Sequence, residues 1–99
     1  MAWTDFFVGN LPNAKMLVTQ NGRPFISMAI DKGEFIEVRL TENENELPFE
    51  VSFKKFDDLG VIVEERIYGY AGTKDLAKKL AMDVALFRQN SFDFVLDGE

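Results

Sequence analysis

Four glutamates fall within ten residues. Glu42, Glu44, Glu46 and Glu50 lie between Thr41 and Glu50, with no basic residue among them. In an extended segment, Glu42, Glu44 and Glu46 point to one side, roughly 6.6 Å apart at ~3.3 Å per residue. Successive phosphates along a nucleic-acid strand repeat at a comparable spacing. A row of carboxylates of this kind can imitate a phosphate backbone and occupy a cationic groove on another protein. The same residues also suit a solvated polar connection that protects a sheet end. The segment lacks the Asp-rich, Gly-containing pattern of an EF-hand loop, so no calcium site is expected. Glu34 and Glu37, just upstream, complete the candidate partner-binding set.

Most other chemistries are excluded by what the chain lacks. Its 99 residues include no cysteine and no histidine. No disulfide framework, thiolate or imidazole zinc site, or Ser-His-Asp triad can be built. Ser27, Ser52 and Ser91 have no histidine to activate them. The adjacent acids Asp57-Asp58 and Glu64-Glu65 alternate faces on a strand or point apart in a turn, so they form no acid/base pair. Asp31 followed by Glu37-Val38-Arg39 only faintly matches a nuclease metal site, with arginine where lysine is usual. A non-enzymatic protein with no cofactor and no metal is expected.

Charge points the same way. There are 11 basic and 17 acidic residues, a net charge of −6 and a pI near 4.6. This balance argues against a nucleic-acid partner. One aromatic constellation stands as the alternative. Phe25, Phe35, Tyr68 and Tyr70, with Arg39, Lys54 and Arg66, have the residue types of a stacking platform for single-stranded nucleic acid. Glu37, Glu50 and Glu64, placed on that same face by alternation, offset the basic groups.

The elements that must position these residues read clearly for most of the chain. Trp3, Phe6 and Phe7 fit one face of a short N-terminal helix stopped at Gly9. Lys15 to Gln20 and Arg23 to Ile30 flank Asn21-Gly22, a hairpin signal of the type I′ kind. Glu34 to Thr41 alternates with a period of two, placing Ile36, Val38 and Leu40 opposite Phe35, Glu37 and Arg39. Phe49, Val51 and Phe53 mark a fourth strand. Val61 to Tyr70 marks a fifth, with Val61, Val63 and Ile67 opposite Ile62, Glu64, Arg66 and Tyr68. The period then changes. Thr73 is a candidate N-cap for a helix over Lys74 to Arg88, with a stripe of Leu76, Leu80, Val84 and Phe87 widened by Ala77 and Ala81. Ser91 to Leu96 alternates again and suggests a short last strand.

The expected fold is therefore α+β. An antiparallel meander of five strands, plus a short C-terminal strand, carries one long C-terminal helix on one face, with a short helix at the N-terminus. Residues 1–99 form one domain. The helix is expected to cover Ile36, Val38, Leu40, Phe49, Val51, Phe53, Val61 and Val63. The Trp3/Phe6/Phe7 segment is expected to cover the opposite face, with a symmetric homodimer as the next alternative. Residues 1 to 9 lack a basic start, and no apolar run approaches the ~20 residues that span a bilayer. A cytoplasmic protein with no membrane partner is expected. Its leading function is that of a small acidic regulator or inhibitor, of phage or mobile-element type, docking on a basic surface of a protein partner. A nucleic-acid-binding module and a structural subunit that assembles with itself are the competing classes.

Overall fold

A computed structural model describes residues 2–42 and 47–97, with side chains described up to Arg88. The order is α1 (Trp3–Asn10), β1 (Ala14–Val18), β2 (Pro24–Asp31), β3 (Glu34–Leu40), β4 (Phe49–Phe56), β5 (Ile62–Ala71) and α2 (Lys74–Asp97). The five strands form one sheet in chain order, each antiparallel to the next. Among the described residues no helix is long and apolar enough to cross a membrane.

Turn chemistry sets this meander. Asn21-Gly22 does form a hairpin, but only Gly22 adopts a positive φ, 81°. Gly22 N–H donates to Thr19 O at 2.9 Å, and Thr19 N–H donates to Arg23 O at 2.9 Å. This is a type I turn closed by a glycine in the left-handed region, not the expected type I′ turn. The extra residue in the loop lets Asn21 keep a negative φ. The β2–β3 turn uses Gly33 at φ 72°, and its carbonyl accepts the Phe56 N–H at 2.8 Å. A Cβ on Gly33 would sit 2.7 Å from Phe56 O.

The core lies between the sheet and both helices. Val38 lies between Ile26 and Val51 across the strands, and Ile36 lies between Met28 and Phe53. All six are essentially inaccessible. Phe49 joins them, while Leu40, at the strand end, is half exposed. Above this surface, α2 presents Ala77, Ala81, Val84 and Ala85 as its buried stripe. The expected stripe is rotated: Leu76 and Phe87 are exposed, and Leu80 packs at the flank. Small residues let the helix axis approach the sheet closely, and Leu80 Cδ2 lies 3.3 Å from where a Cβ on Gly69 would be. Thr73 caps the helix as expected, its Oγ1 accepting the Leu76 N–H at 3.1 Å.

Two expectations about coverage are corrected. The helix does not stop at Arg88, and the Ser91 to Leu96 segment is helical, not a strand. No glycine or proline separates Arg88 from Asp97. A short apolar run also fits either period, and continuation of an existing helix needs no new nucleus. Nor does the N-terminal segment cover the second face. α1 contacts β1, β2 and α2, so both helices share one face. Phe7 is fully buried there, with its ring centroid 5.7 Å from that of Phe49, 5.7 Å from Trp3 and 5.2 Å from Phe6. The reason is width. Five strands at ~4.8 Å spacing span about 19 Å between outer strand axes, whereas one helix covers about 10 Å.

Two glycine substitutions should separate strain from freedom. Gly33→Ala meets both a positive φ and a backbone oxygen, and should lower stability by about 1–3 kcal/mol. Gly9→Ala, inside α1 with nothing within 4 Å of a new Cβ, should raise it by about 0.5–1 kcal/mol. Urea unfolding followed by Trp3 fluorescence measures both.

Candidate functional site

Strand β5 decides which side chains share a face. Its pairing with β4 slips twice, between Val51 and Ser52 and between Lys55 and Phe56. Each slip inserts one residue and inverts the faces beyond it. Glu64 and Arg66 consequently stand opposite Lys55 and Phe53, on the helix side. Val61 and Val63 remain exposed, as does Ile67. The regular alternation had reversed these assignments.

The inverted stretch forms a polar clamp under α2. Arg88 donates from Nη1 to Glu64 Oε2 at 2.9 Å and from Nη2 to Glu64 Oε1 at 3.0 Å. Nη1 also donates to the Tyr68 hydroxyl at 3.2 Å. The guanidinium lies 3.9 Å from the Phe53 ring centroid. Hydrogen bonding to Arg88 holds the Glu64 carboxyl below its ordinary value near 4.5. The same bond raises the Arg88 pKa. Tyr68, with Arg66 5.6 Å from its ring centroid, therefore belongs to this clamp and not to the aromatic platform.

The face without helices keeps Phe25, Phe35, Arg39 and Tyr70. Its centre is a carboxylate. Glu37 is only 5% exposed and lies between Ser27 and Ser52, its neighbours on β2 and β4. Glu37 Oε1 accepts Arg39 Nη2 at 2.7 Å and Lys54 Nζ at 3.2 Å. The Arg39 guanidinium stacks 4.1 Å above the Phe25 ring, and Phe35 meets Phe56 edge-on at 5.8 Å. Hydrogen-bonded counterions let a carboxylate be buried on an uncovered face. Glu37 is thus committed within the fold, and Arg39 with it.

The remaining glutamates separate by sheet end. In a meander, alternate connections share an end, so the β1–β2 turn and the β3–β4 connection lie together. Thr41 N–H donates to Pro48 O at 2.9 Å, and its Oγ1 donates to Leu47 O at 2.8 Å. These bonds close the mouth of the β3–β4 connection. Glu42 is exposed and forms an ion pair with Arg23 of the β1–β2 turn. Glu50, the second residue of β4, faces Arg39 on one side and Tyr70 on the other. Glu44 and Glu46, and with them the expected extended row, lie outside the described residues. Glu34 begins β3 at the opposite end, roughly 20 Å away along the strand. Among the described residues no three acidic groups converge as a metal site; Asp31 instead accepts the Lys32 N–H at 2.7 Å.

A cleft of about 650 Å³ opens at the glutamate-bearing end. Arg23, Arg39, Glu42, Glu50 and Tyr70 line it, together with Thr19, Pro24, Leu40 and Thr41. Arg23 was not among the candidate residues, although its position one residue after Gly22 places it at this end of any such meander. Comparison with protein-family models, curated proteins and solved structures returns no match. The functional reading therefore rests on this geometry.

The clamp has a pH signature. A carboxylate with a depressed folded pKa stabilises fully above its unfolded value, and that contribution is lost as pH falls through the folded one. Wild type and Glu64→Gln should keep a constant stability gap at neutral pH and converge as pH falls below about 4.5. Urea titrations at successive pH values measure this; a gap unchanged down to pH about 2 would show no charge contribution. Arg88→Met should cost about 1–3 kcal/mol, less than additively with Glu64→Gln.

Proposed function

We propose that this chain is a non-enzymatic binding protein that docks on a basic surface of a protein partner. It acts through the sheet end that carries the β3–β4 connection, as a small acidic regulator or inhibitor. A cationic nucleic-acid-binding groove is the surface it fits best. The supporting observation is the convergence at one sheet end of Glu42, Glu50 and the connection between them. That connection adds Glu44 and Glu46 in sequence and no basic residue. Glu37, inside β3, is neutralised by Arg39 of its own strand and Lys54 of β4. Glu42, at the start of the connection, is exposed and among the described residues pairs with the equally exposed Arg23, so its charge is accessible to a partner. Electrostatic docking of this kind raises association rates and weakens with salt.

The test is charge reversal with net charge controlled. Poly-lysine is the cationic probe, followed by fluorescence anisotropy at increasing salt. Glu42→Lys, Glu44→Lys and Glu46→Lys combined should weaken binding at least about tenfold and flatten the salt dependence. The same charge change at Asp58, Glu65 and Asp83 should have a much smaller effect. Equal losses in the two triple variants would reduce the interaction to net charge and overturn the site.

A further inference from the structure

We propose that the cleft beside the β3–β4 connection receives the cationic head of a partner side chain, a guanidinium or alkylammonium, in exchange for Arg23. The inference rests on the docking reading above and names what enters the site.

The cleft's volume, about 650 Å³, is that of a small-ligand pocket. Both of its arginines are already engaged. Arg39 is held by Glu37 at 2.7 Å and by the Phe25 ring at 4.1 Å, partly out of solvent. Arg23 is paired with Glu42. Glu50 differs. It stands directly opposite Arg39 and Tyr70, yet no ion pair holds it among the described residues. The Arg39 side chain turns along its own strand to Glu37 and leaves Glu50 facing the cleft. Lys54 also binds Glu37, but from four residues further along β4, away from the cleft. The acceptor left without a counterion among the described residues is therefore a carboxylate, and Tyr70 gives it an aromatic wall suited to a flat cation.

Arg23 and Glu42 are the movable part. Their side chains are each 63% exposed, and they join two different connections. An exposed pair of this kind is screened and contributes little to stability. An incoming guanidinium can take Arg23's place on Glu42 and reach Glu50 across the cleft. Arg23 then acts as an internal competitor that lowers affinity for the cation and rejects weaker ones. This gives an expectation opposite to that for a supporting residue: removing Arg23 strengthens binding.

Isothermal titration with hexa-arginine, and separately with hexa-glutamate, tests this on the full chain. Arg23→Ala should tighten hexa-arginine binding about threefold or more, and Glu50→Gln should weaken it about fivefold. Lys32→Ala, which makes the same charge change at the opposite sheet end, should have less effect than Arg23→Ala. Circular dichroism confirms that each variant is folded. Any other combination overturns the cleft assignment. If the Glu42/Glu44/Glu46 reversal still abolishes binding while Arg23→Ala and Glu50→Gln change nothing, docking stands and the cleft proposal fails. Binding of hexa-glutamate that needs Arg23 would make the cleft an anion site and overturn the proposal. Absence of hexa-arginine binding would overturn both readings.

Discussion

The Glu64–Arg88 pair, seated against the Phe53 ring, decides which side of β5 belongs to the helix. A long helix carrying only small residues on its buried stripe has little shape to fix its rotation. Ala77, Ala81 and Ala85 could face the sheet at several neighbouring angles. A bidentate guanidinium is less permissive, because both nitrogens must meet both oxygens in one plane. The β-bulge at Tyr68 brings Glu64 to the helix side, and Arg88 reads that placement. Rotation of α2, exposure of its Leu76 and Phe87 flank and burial of Phe53 are then consequences of one contact.

With α2 held over β3, β4 and β5, α1 takes the space above β1 and β2. The Trp3, Phe6, Phe7 and Phe49 cluster fills the seam between the helices. Among the described residues no element is left for the other face, which meets water directly. It does so with a buried ion cluster at its centre and aromatic rings under or beside the cations. That arrangement suits an antiparallel sheet with one solvated face. It also shows why a stacking platform is a poor description. The cation best placed to attract a phosphate, Arg39, is bonded to a buried carboxylate and stacked on the ring that would receive a base.

The strands, the Thr73 cap and the α+β class were legible because each is local. Turn residues, a period of two and a capping hydroxyl act within a few residues. Sidedness was less legible. A β-bulge depends on what the neighbouring strand does, so Val63 and Glu64 exchanged faces without any change in their own pattern. The Ser91 to Leu96 segment alternated well enough for a strand, yet it directly follows a helix with no breaker between. The rotation of α2 was less legible, because Leu76 and Phe87 carry the stronger apolar signal while Ala77, Ala81 and Ala85 allow the closer approach. The Glu-rich connection was legible as charge. Its relation to Arg23 needed only the rule that alternate meander turns share an end.

That rule also explains why charge can persist at this sheet end. Within a central strand, a charged side chain has neighbours two residues away and across both partners, as Glu37 shows. Glu64 does the same through the helix. At a connection the cross-strand neighbours end. The meander brings one cation, Arg23, to face Glu42 across the gap, and Arg39 opposite Glu50 is drawn inward by Glu37. Burying one carboxylate on the uncovered face therefore removes the counterion from another at its end. Among the described residues, the unpaired charge of Glu50 at the cleft is thus tied to the packing of the sheet, and the proposed partner cation would pair with it.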